Sequence, residues 1–183
     1  WMIDRGMFVT EERLDYLADK HMQIVKSWNA TPCVAGIDVA RVKDSTVVTV
    51  CWVDWDHPDP SGMYEHRVLN WLEINNAEWE RQYYEIADFL APYNIVKCGV
   101  DSQGMGSAVA ERLDLILGNR MDIVPVNSDL ATQDKRWSHL TQLLQRNLII
   151  YPGHSKARRT RTWKSFRQQM EDAEKVVKGQ YIL

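Results

Sequence analysis

Two aspartates close two separate apolar runs of the sequence, Asp38 in "CVAGID" and Asp101 in "VKCGVD". A carboxylate in a buried strand costs free energy unless a cation or hydrogen-bond donors compensate it. Ligands bind at the carboxyl ends of strands in α/β sheets, so the two carboxylates face each other if their strands are neighbours. Two close carboxylates repel each other, and a cation between them relieves that repulsion. The pattern predicts that Asp38 and Asp101 hold metal, although either residue alone is also typical of a turn or a helix cap.

The ligand type indicates which metal and which chemistry the pair would serve. Carboxylate oxygens favour Mg²⁺ or Mn²⁺ over zinc. The five histidines show no metal-ligand spacing, and the three cysteines are too far apart for a metal motif. A pair of divalent ions about 3.5–4 Å apart is the usual arrangement for phosphodiester chemistry. We therefore expect Mg²⁺ or Mn²⁺, two ions in the complete site, with Asp38 and Asp101 as catalytic residues.

Two further acidic residues are weaker candidates for the same site. Asp44, in "ARVKDSTVV", falls in a predicted hairpin turn, where a turn role is favoured over support of the metal. Glu73 closes a predicted strand in "NWLEINN" and is interpreted first as an exposed carboxylate on an edge strand.

The residues after Asp101 form a glycine-containing turn in "DSQGMGSAVAERL". Gly104 and Gly106 suit a tight turn from a strand into a helix, with Ser107 as the N-cap. Backbone N–H groups at a helix start also bind phosphate. Because a lone Gly-x-Gly is a weak signal, the structural role is favoured.

The segment "HSKARRTRTWKSFR" carries the largest local excess of positive charge. On a single helix over residues 156–172, Arg158, Arg161 and Lys164 lie opposite the apolar side chains. A cationic helix face suits the phosphate backbone of DNA, and a solvated face paired with acidic neighbours is the alternative. Arg159 falls on the apolar side, so either the helix starts later or Arg159 is paired.

The order of elements predicts how these residues are positioned. A helix is expected over residues 10–28, followed by three strands over residues 34–39, 46–53 and 67–74 that form an antiparallel meander. Strands and helices then alternate, which indicates parallel βαβ units. The expected fold class is α/β with a mixed central sheet and helices on both faces, the element order of the ribonuclease H-like fold.

Composition excludes several classes of protein. The chain has 183 residues with a formal net charge of −3, and 45% of its residues are hydrophobic, as in ordinary globular domains. There is no apolar run of transmembrane length and no signal peptide at the start. The odd, dispersed cysteines indicate a reducing compartment. Because the chain begins at Trp1 and stops within a strand-like run, we expect a piece of a longer protein.

Two stretches, "GIDVARVKDSTVVTV" and "VKCGVDSQGMGSAVAERL", followed by a strand and basic helices, carry a resemblance to a known family. The chain resembles the C-terminal nuclease domain of the large terminase subunit of tailed double-stranded DNA bacteriophages, a ribonuclease H-like domain. The resemblance covers about residues 34–183, and it matches Asp38 to the first acid of the family and Asp101 to the second. It implies a metal-dependent, two-ion endonuclease that cuts concatemeric viral DNA during genome packaging.

The resemblance implies a larger context as well. The family's third acidic ligand follows its final strand, so it is expected beyond Leu183. Residues 1–30 resemble a helical lead-in from an N-terminal ATPase, and residues 31–183 resemble the nuclease domain. No P-loop is present, so ATP hydrolysis is not expected. The implied partners are double-stranded DNA, the ATPase domain, the small terminase subunit and the portal, in the host-cell cytoplasm, outside the mature virion and without a membrane.

Three other interpretations remain open. A Holliday-junction resolvase or transposase shares the acids and would prefer branched DNA. An actin- or sugar-kinase-like phosphotransferase opens with a similar strand and uses an Asp-x-x-Gly turn, but it needs a longer chain and binds ATP. A non-catalytic DNA-binding module would bind DNA without metal, and Asp38 and Asp101 would be dispensable.

Overall fold

The computed structural model describes residues 4–39, 45–75, 78–101, 106–126, 129–178 and 181–182. The strands within these residues are β1 (Asp4–Met7), β2 (Ala18–Asp19), β3 (Trp28–Asp38), β4 (Thr46–Val53), β5 (His66–Ile74), β6 (Tyr93–Asp101), β7 (Asp122–Val126), β8 (Ile149–Pro152), β9 (Glu174–Lys178) and β10 (Tyr181–Ile182). The helices are α1 (Glu11–Leu17), α2 (Trp79–Leu90), α3 (Gly106–Leu117), α4 (Leu130–Gln145), α5 (Ser155–Arg158) and α6 (Arg161–Asp172).

Seven strands form one mixed sheet in the order β2-β8-β5-β4-β3-β6-β7, and β1, β9 and β10 form a second sheet. Strand β3 pairs antiparallel with β4 and parallel with β6, which pairs parallel with β7. Strand β8 pairs parallel with both β5 and β2. This topology, in which the antiparallel pair β3-β4 is combined with parallel pairs, confirms the predicted α/β class with a mixed central sheet.

The chain divides into two compact units. The first unit consists of Trp1–Gln23, Asp54–Arg67 and Ser128–Leu183, and the second consists of Ile24–Val53 and Val68–Asn127.

The core of the second unit follows from the period-two pattern of its strands. Ile37 pairs with Val48 on β4 and with Val100 on β6, and all three are buried. Helix α2 covers this face, since the Thr46 hydroxyl at the start of β4 donates a hydrogen bond to Gln82 Oε1 at 2.8 Å inside the core. The face of the sheet that carries Ile37, Val48 and Val100 is therefore packed in the core.

The first unit is built around β8. The hydroxyl of buried Tyr151 donates to the Leu14 carbonyl of α1, and the indole of Trp163 donates to the Pro152 carbonyl at 2.7 Å. At Gly153 an added Cβ would lie 2.6 Å from the backbone of Ala18, so only glycine permits this approach of the two segments.

The structure corrects the single helix expected over residues 10–28. Helix α1 covers only Glu11–Leu17, and the next two residues form β2, which pairs with β8. The Asp19 carboxylate then accepts from the His21 backbone N–H at 2.8 Å, a turn that replaces the next helical hydrogen bonds. Pairing with β8 thus overrides the helical pattern of this segment.

The basic segment is two helices rather than the single helix expected over residues 156–172. The Thr160 hydroxyl donates to the Ala157 carbonyl at the end of α5 and accepts from the Trp163 N–H at the start of α6. Thr160 is therefore the N-cap of α6. Arg159 lies in the break, which explains its misplacement on a continuous wheel.

No helix among the described residues combines the length and apolar character that crossing a bilayer requires.

Candidate functional site

Asp38 and Asp101 end two adjacent parallel strands. Ile37 of β3 pairs with Val100 of β6, and each aspartate is the next residue on its strand. Because adjacent strands lie about 4.8 Å apart and residues in parallel register point to the same face, the two carboxylates lie side by side on one face. The condition that the two strands are neighbours is therefore met, while metal binding by the two aspartates remains a prediction.

Glycines occupy the positions next to the two aspartates on their face of the sheet. Gly36 pairs with Gly99, and these glycines precede the aspartates by one repeat of the strand on the same face. A Cβ added at Gly36 would meet nothing within 4 Å, whereas one at Gly99 would lie 3.1 Å from Val126 Cγ2. The glycines leave room beside Asp38 for an ion or a phosphate. The repeated tripeptides "GID" and "GVD" are the sequence signal for this feature.

The donor set at this edge of the sheet fits a hard divalent cation. Asp38 is exposed and Asp101 is half-buried. Among the described residues, no three side chains of histidine, cysteine, aspartate or glutamate are grouped closely enough to hold a metal ion. The described part of the chain therefore supplies two adjacent carboxylates at this edge, with space beside them.

The three cysteines form no disulfide, and they are not suited to bind metal as thiolates. Burial raises the pKa of Cys33 to about 11 and the pKa of Cys98 to about 12. Burial, with a smaller contribution from Cys33, raises the pKa of Cys51 to about 12. The thiols are therefore protonated at neutral pH, and a protonated thiol is a poor metal ligand.

Glu73 lies near the end of β5 and contacts Ser45, which precedes β4. It is not the exposed carboxylate on an edge strand that the sequence suggested. It is half-buried on β5, which lies between β8 and β4 in the sheet. The Ser45 hydroxyl donates to Glu73 Oε1 at 3.2 Å and also contacts the Asn75 side chain. Ser45 immediately precedes β4, whose Val47 pairs with Asp38. Glu73 is thus two strands from Asp38, about 10 Å in strand spacing.

The predicted turn after Asp101 is placed only in part. Gly104 and Asp44 lie outside the described residues. Gly106 is the first residue of α3. Ser107 is exposed and lies inside the first turn of α3, so it is not the N-cap that the sequence suggested, because the helix begins one residue earlier.

The three cationic residues predicted to bind DNA do not share one helix. Arg158 belongs to α5, and its Nε donates to the Gly153 carbonyl at 2.8 Å. Its guanidinium also lies 5.2 Å from the centre of the Trp163 ring and 3.8 Å from the Asp15 carboxylate. Arg158 therefore packs within the first unit and does not lie on one continuous helix with Arg161 and Lys164, while its binding of DNA remains a prediction.

Arg161 and Lys164 remain as surface cations. Both are exposed on α6, one turn apart on the same side of the helix. No ion pair to either is seen within the part of the chain that the structure describes. They form the cationic patch of α6.

Arg167, on the same helix, has a structural role that sequence reasoning missed. Its guanidinium donates to Glu171, to Asp15 Oδ1 at 2.9 Å and to the Glu11 carbonyl at 3.4 Å. Burial lowers the pKa of Arg167, but the hydrogen bond to Glu171 and the interactions with Tyr151 and Asp15 together outweigh it, so the net pKa is raised. The guanidinium thus joins α6 to α1, and the Arg167/Glu171 spacing of four residues was the available signal.

The chain matches no protein-family model and no curated protein sequence. It is similar to the solved structure of the HK97 bacteriophage large terminase, with a TM-score of 0.67 and 9% identity over 98% of this chain. The chain spans 39% of that protein.

Two further solved structures share the fold. The large terminase nuclease from thermophilic phage G20c with bound magnesium matches with a TM-score of 0.62 and 18% identity, covering 86% of this chain and 73% of that one. The human cytomegalovirus terminase nuclease domain, soaked with manganese and bound to an inhibitor, matches with a TM-score of 0.54 and 9% identity, covering 90% of this chain and 86% of that one. The chain therefore has the ribonuclease H-like fold of the large terminase nuclease domains.

Proposed function

We propose that this chain is the nuclease domain of a large terminase and that it cuts double-stranded viral DNA by metal-dependent hydrolysis of a phosphodiester. The observation that carries the proposal is the side-by-side placement of Asp38 and Asp101 at the carboxyl ends of β3 and β6, above the paired glycines. Its support is the shared fold with terminase nucleases whose structures were determined with magnesium or manganese.

Asp38 and Asp101 would hold the metal, and their charge explains why the site needs one. Two carboxylates on adjacent strands repel each other and also repel the phosphate of DNA. Bound Mg²⁺ or Mn²⁺ lowers the pKa of a water and neutralises the charge that develops on the phosphate and the leaving oxygen. The two-ion form of this chemistry is part of the proposal.

The room beside Asp38 suits a backbone phosphate. Since Gly36 presents no side chain, this position would not obstruct a DNA strand that approaches the carboxylates. Contacts to the phosphate carry no sequence information, so hydrolysis here would have little dependence on base sequence.

The cationic patch of α6, Arg161 and Lys164, is proposed to bind the DNA backbone. Exposed lysine and arginine side chains contribute affinity by releasing counterions from phosphates, and they do not select sequence. In the packaging context, this domain would act with an ATPase domain, a small terminase subunit and a portal in the host-cell cytoplasm.

The test is cleavage of supercoiled plasmid in Mn²⁺, in Mg²⁺ and in EDTA by the wild type, Asp38→Asn and Asp101→Asn. We expect cleavage only with metal, and each variant should slow it by at least about a hundredfold, the scale for loss of one charge-stabilising group. A matched control is Asp122→Asn on β7 of the same unit, which removes an exposed carboxylate 3.6 Å from Lys97 Nζ.

Circular dichroism of all variants separates loss of function from loss of fold. Metal-dependent cleavage by wild type that persists in either aspartate variant would remove the site assignment. A four-way junction in place of plasmid tests the resolvase alternative, because a strong preference for the junction contradicts the packaging proposal.

A further inference from the structure

The amino-terminal ends of β3 and β6 border a cavity of about 540 Å³ in the second unit. Its polar lining residues are Asn29, Asn94 and Arg120, and its apolar lining includes the buried side chains of Tyr93, Ile95 and Met121. The cavity is at the opposite end of these strands from Asp38 and Asp101, so it does not belong to the carboxylate site.

An interruption of the strand register accounts for the cavity. Trp28 pairs with Tyr93, and the next pair is Cys33 with Ile95. Residues 29–32 of β3 therefore face the single residue Asn94 of β6. A bulge of this kind bends the strand and releases backbone groups from the ladder, and bulges are common beside functional sites.

The bulge is held in place by its own hydrogen bonds. The Trp28 indole N–H donates to the Thr31 hydroxyl at 2.9 Å, and its backbone N–H donates to the Pro92 carbonyl at 3.0 Å. The Cys33 thiol contacts the Thr31 carbonyl at 3.8 Å. These bonds hold the bulge beside the cavity in one conformation, which lowers the entropic cost of binding.

The charge of the lining selects the ligand. Arg120 Nη2 donates to the Ala91 carbonyl at the end of α2 at 3.0 Å, which fixes the guanidinium at the rim. A guanidinium has five N–H donors, so this bond leaves donors for a ligand. None of the described residues that line the cavity is acidic. The cavity therefore favours an anion.

We propose that this cavity binds a small phosphorylated molecule of the size of a nucleoside monophosphate. The Arg120 guanidinium suits a phosphate, with which arginine forms bidentate hydrogen bonds. The carboxamides of Asn29 and Asn94 each offer a donor and an acceptor for the edge of a base. The volume of about 540 Å³ lies within the roughly 300–1,000 Å³ of small-molecule sites.

The test is a titration of the full chain, labelled with ¹⁵N and kept in EDTA, with deoxyadenosine monophosphate. EDTA removes metal, so the phosphate cannot be captured through Asp38 and Asp101. We expect saturable shifts at Asn29, Asn94 and Arg120, and weaker binding of deoxyadenosine and of inorganic phosphate than of the nucleotide. Arg120→Ala should weaken nucleotide binding by about tenfold or more, since hydrogen bonds to a charged group are lost.

The matched control is Arg81→Ala, which removes an exposed arginine of α2 that is bonded to Glu85 and does not line the cavity. Asn94→Ala, on the exposed side of β6, is a second variant should Arg120→Ala unfold. Equal affinity of the wild type and both cavity variants would overturn the proposal. Shifts confined to the Asp38 end, or no saturable binding, would also overturn it. None of these outcomes bears on cleavage of DNA in Mn²⁺.

Discussion

Strands β3 and β6 make two different kinds of site at their two ends. From Val34 to Ile37 the parallel register is unbroken, so paired residues lie side by side. Asp38 and Asp101 are the next residues on their strands and therefore lie at neighbouring positions. At the amino-terminal end the register is broken after Trp28, and a cavity takes the place of the ladder. A continuous register brings chemical groups together, whereas an interrupted one creates space for a ligand.

The largest expected effect is the loss of metal binding at the carboxyl-terminal ends of β3 and β6 with ligand binding at their amino-terminal ends unchanged. The double variant Asp38→Asn/Asp101→Asn removes both negative charges from the carboxyl-terminal end. We expect no measurable Mn²⁺ binding by calorimetry and unchanged binding of deoxyadenosine monophosphate. In the wild type we expect at most one tight Mn²⁺ site, because two adjacent carboxylates neutralise the charge of one divalent ion. Persistent tight Mn²⁺ binding in the double variant would place the metal elsewhere.

The space beside Asp38 can be closed without touching a carboxylate. Gly36→Leu adds a side chain beside Asp38 on the same face of β3, and the fold should tolerate it because a Cβ added at Gly36 has no atoms within 4 Å. We expect cleavage of plasmid to fall by about tenfold to a hundredfold, since displacement of a reactant by about 1 Å has that cost. Thermal unfolding should change little. Gly62→Ala, in a loop of the first unit at φ 81°, is the control for loss of a glycine, with strain but no effect on catalysis.

The charge reversal Arg161→Glu/Lys164→Glu tests whether DNA binding needs a cationic surface outside this pair of strands. We expect DNA affinity to fall about tenfold at moderate salt, and the slope of log K against log salt to become shallower by about 0.9 for each lost phosphate contact. Fluorescence anisotropy with a labelled duplex measures both quantities. Arg81→Glu in the second unit is the control for reversal of an exposed positive charge outside the patch, and a comparable loss of affinity in that variant would show that the effect is not specific to the patch.

Part of this molecule was predictable from local pattern. The apolar runs ending in Asp38 and Asp101 and the alternation of strands with helices were sufficient to predict the mixed sheet. The sequence brought the two acids together only on the condition that β3 and β6 are neighbours, and the observed pairing meets that condition. The paired glycines carried the same information in the sequence, but their meaning depends on the register.

The features that the sequence did not predict depend on long-range partners. Residues 18–19 leave the helical pattern because β8 pairs with them, and the helix in the basic segment breaks because the Thr160 hydroxyl bonds on both sides. Arg158 donates a hydrogen bond to the Gly153 carbonyl and packs against the Trp163 ring, so its position differs from the one that a continuous helical wheel predicts. Neither a helical wheel nor the period-two pattern of a strand can predict these contacts, because each contact depends on a partner that tertiary packing brings near.

A smaller effect is expected at the amino-terminal end. Trp28→Phe removes the indole donor to Thr31 and keeps an aromatic ring against Trp52, whose centre is 6.2 Å away. One such hydrogen bond contributes about 1 kcal/mol. We expect a loss of that size in the free energy of unfolding and a several-fold weaker binding of deoxyadenosine monophosphate, with Mn²⁺-dependent cleavage unchanged. Trp55→Phe, an exposed tryptophan of the first unit, is the control, and reduced cleavage in Trp28→Phe alone would mean that the two ends are coupled.

The smallest effect concerns the carboxylates in the absence of metal. Like charges directly opposite each other on adjacent strands are destabilising, and cross-strand pairs contribute roughly 0.2–1 kcal/mol. Asp101→Asn relieves that repulsion while it keeps the size of the side chain. Asp101 also has a partner within the protein, so the gain from lost repulsion is partly offset. In EDTA we therefore expect the variant and the wild type to differ by less than about 0.5 kcal/mol in urea unfolding. With Mn²⁺ present the wild type should become clearly the more stable of the two, because bound metal stabilises only the folded wild type. An equal difference with and without Mn²⁺ would show that Asp101 does not hold the metal.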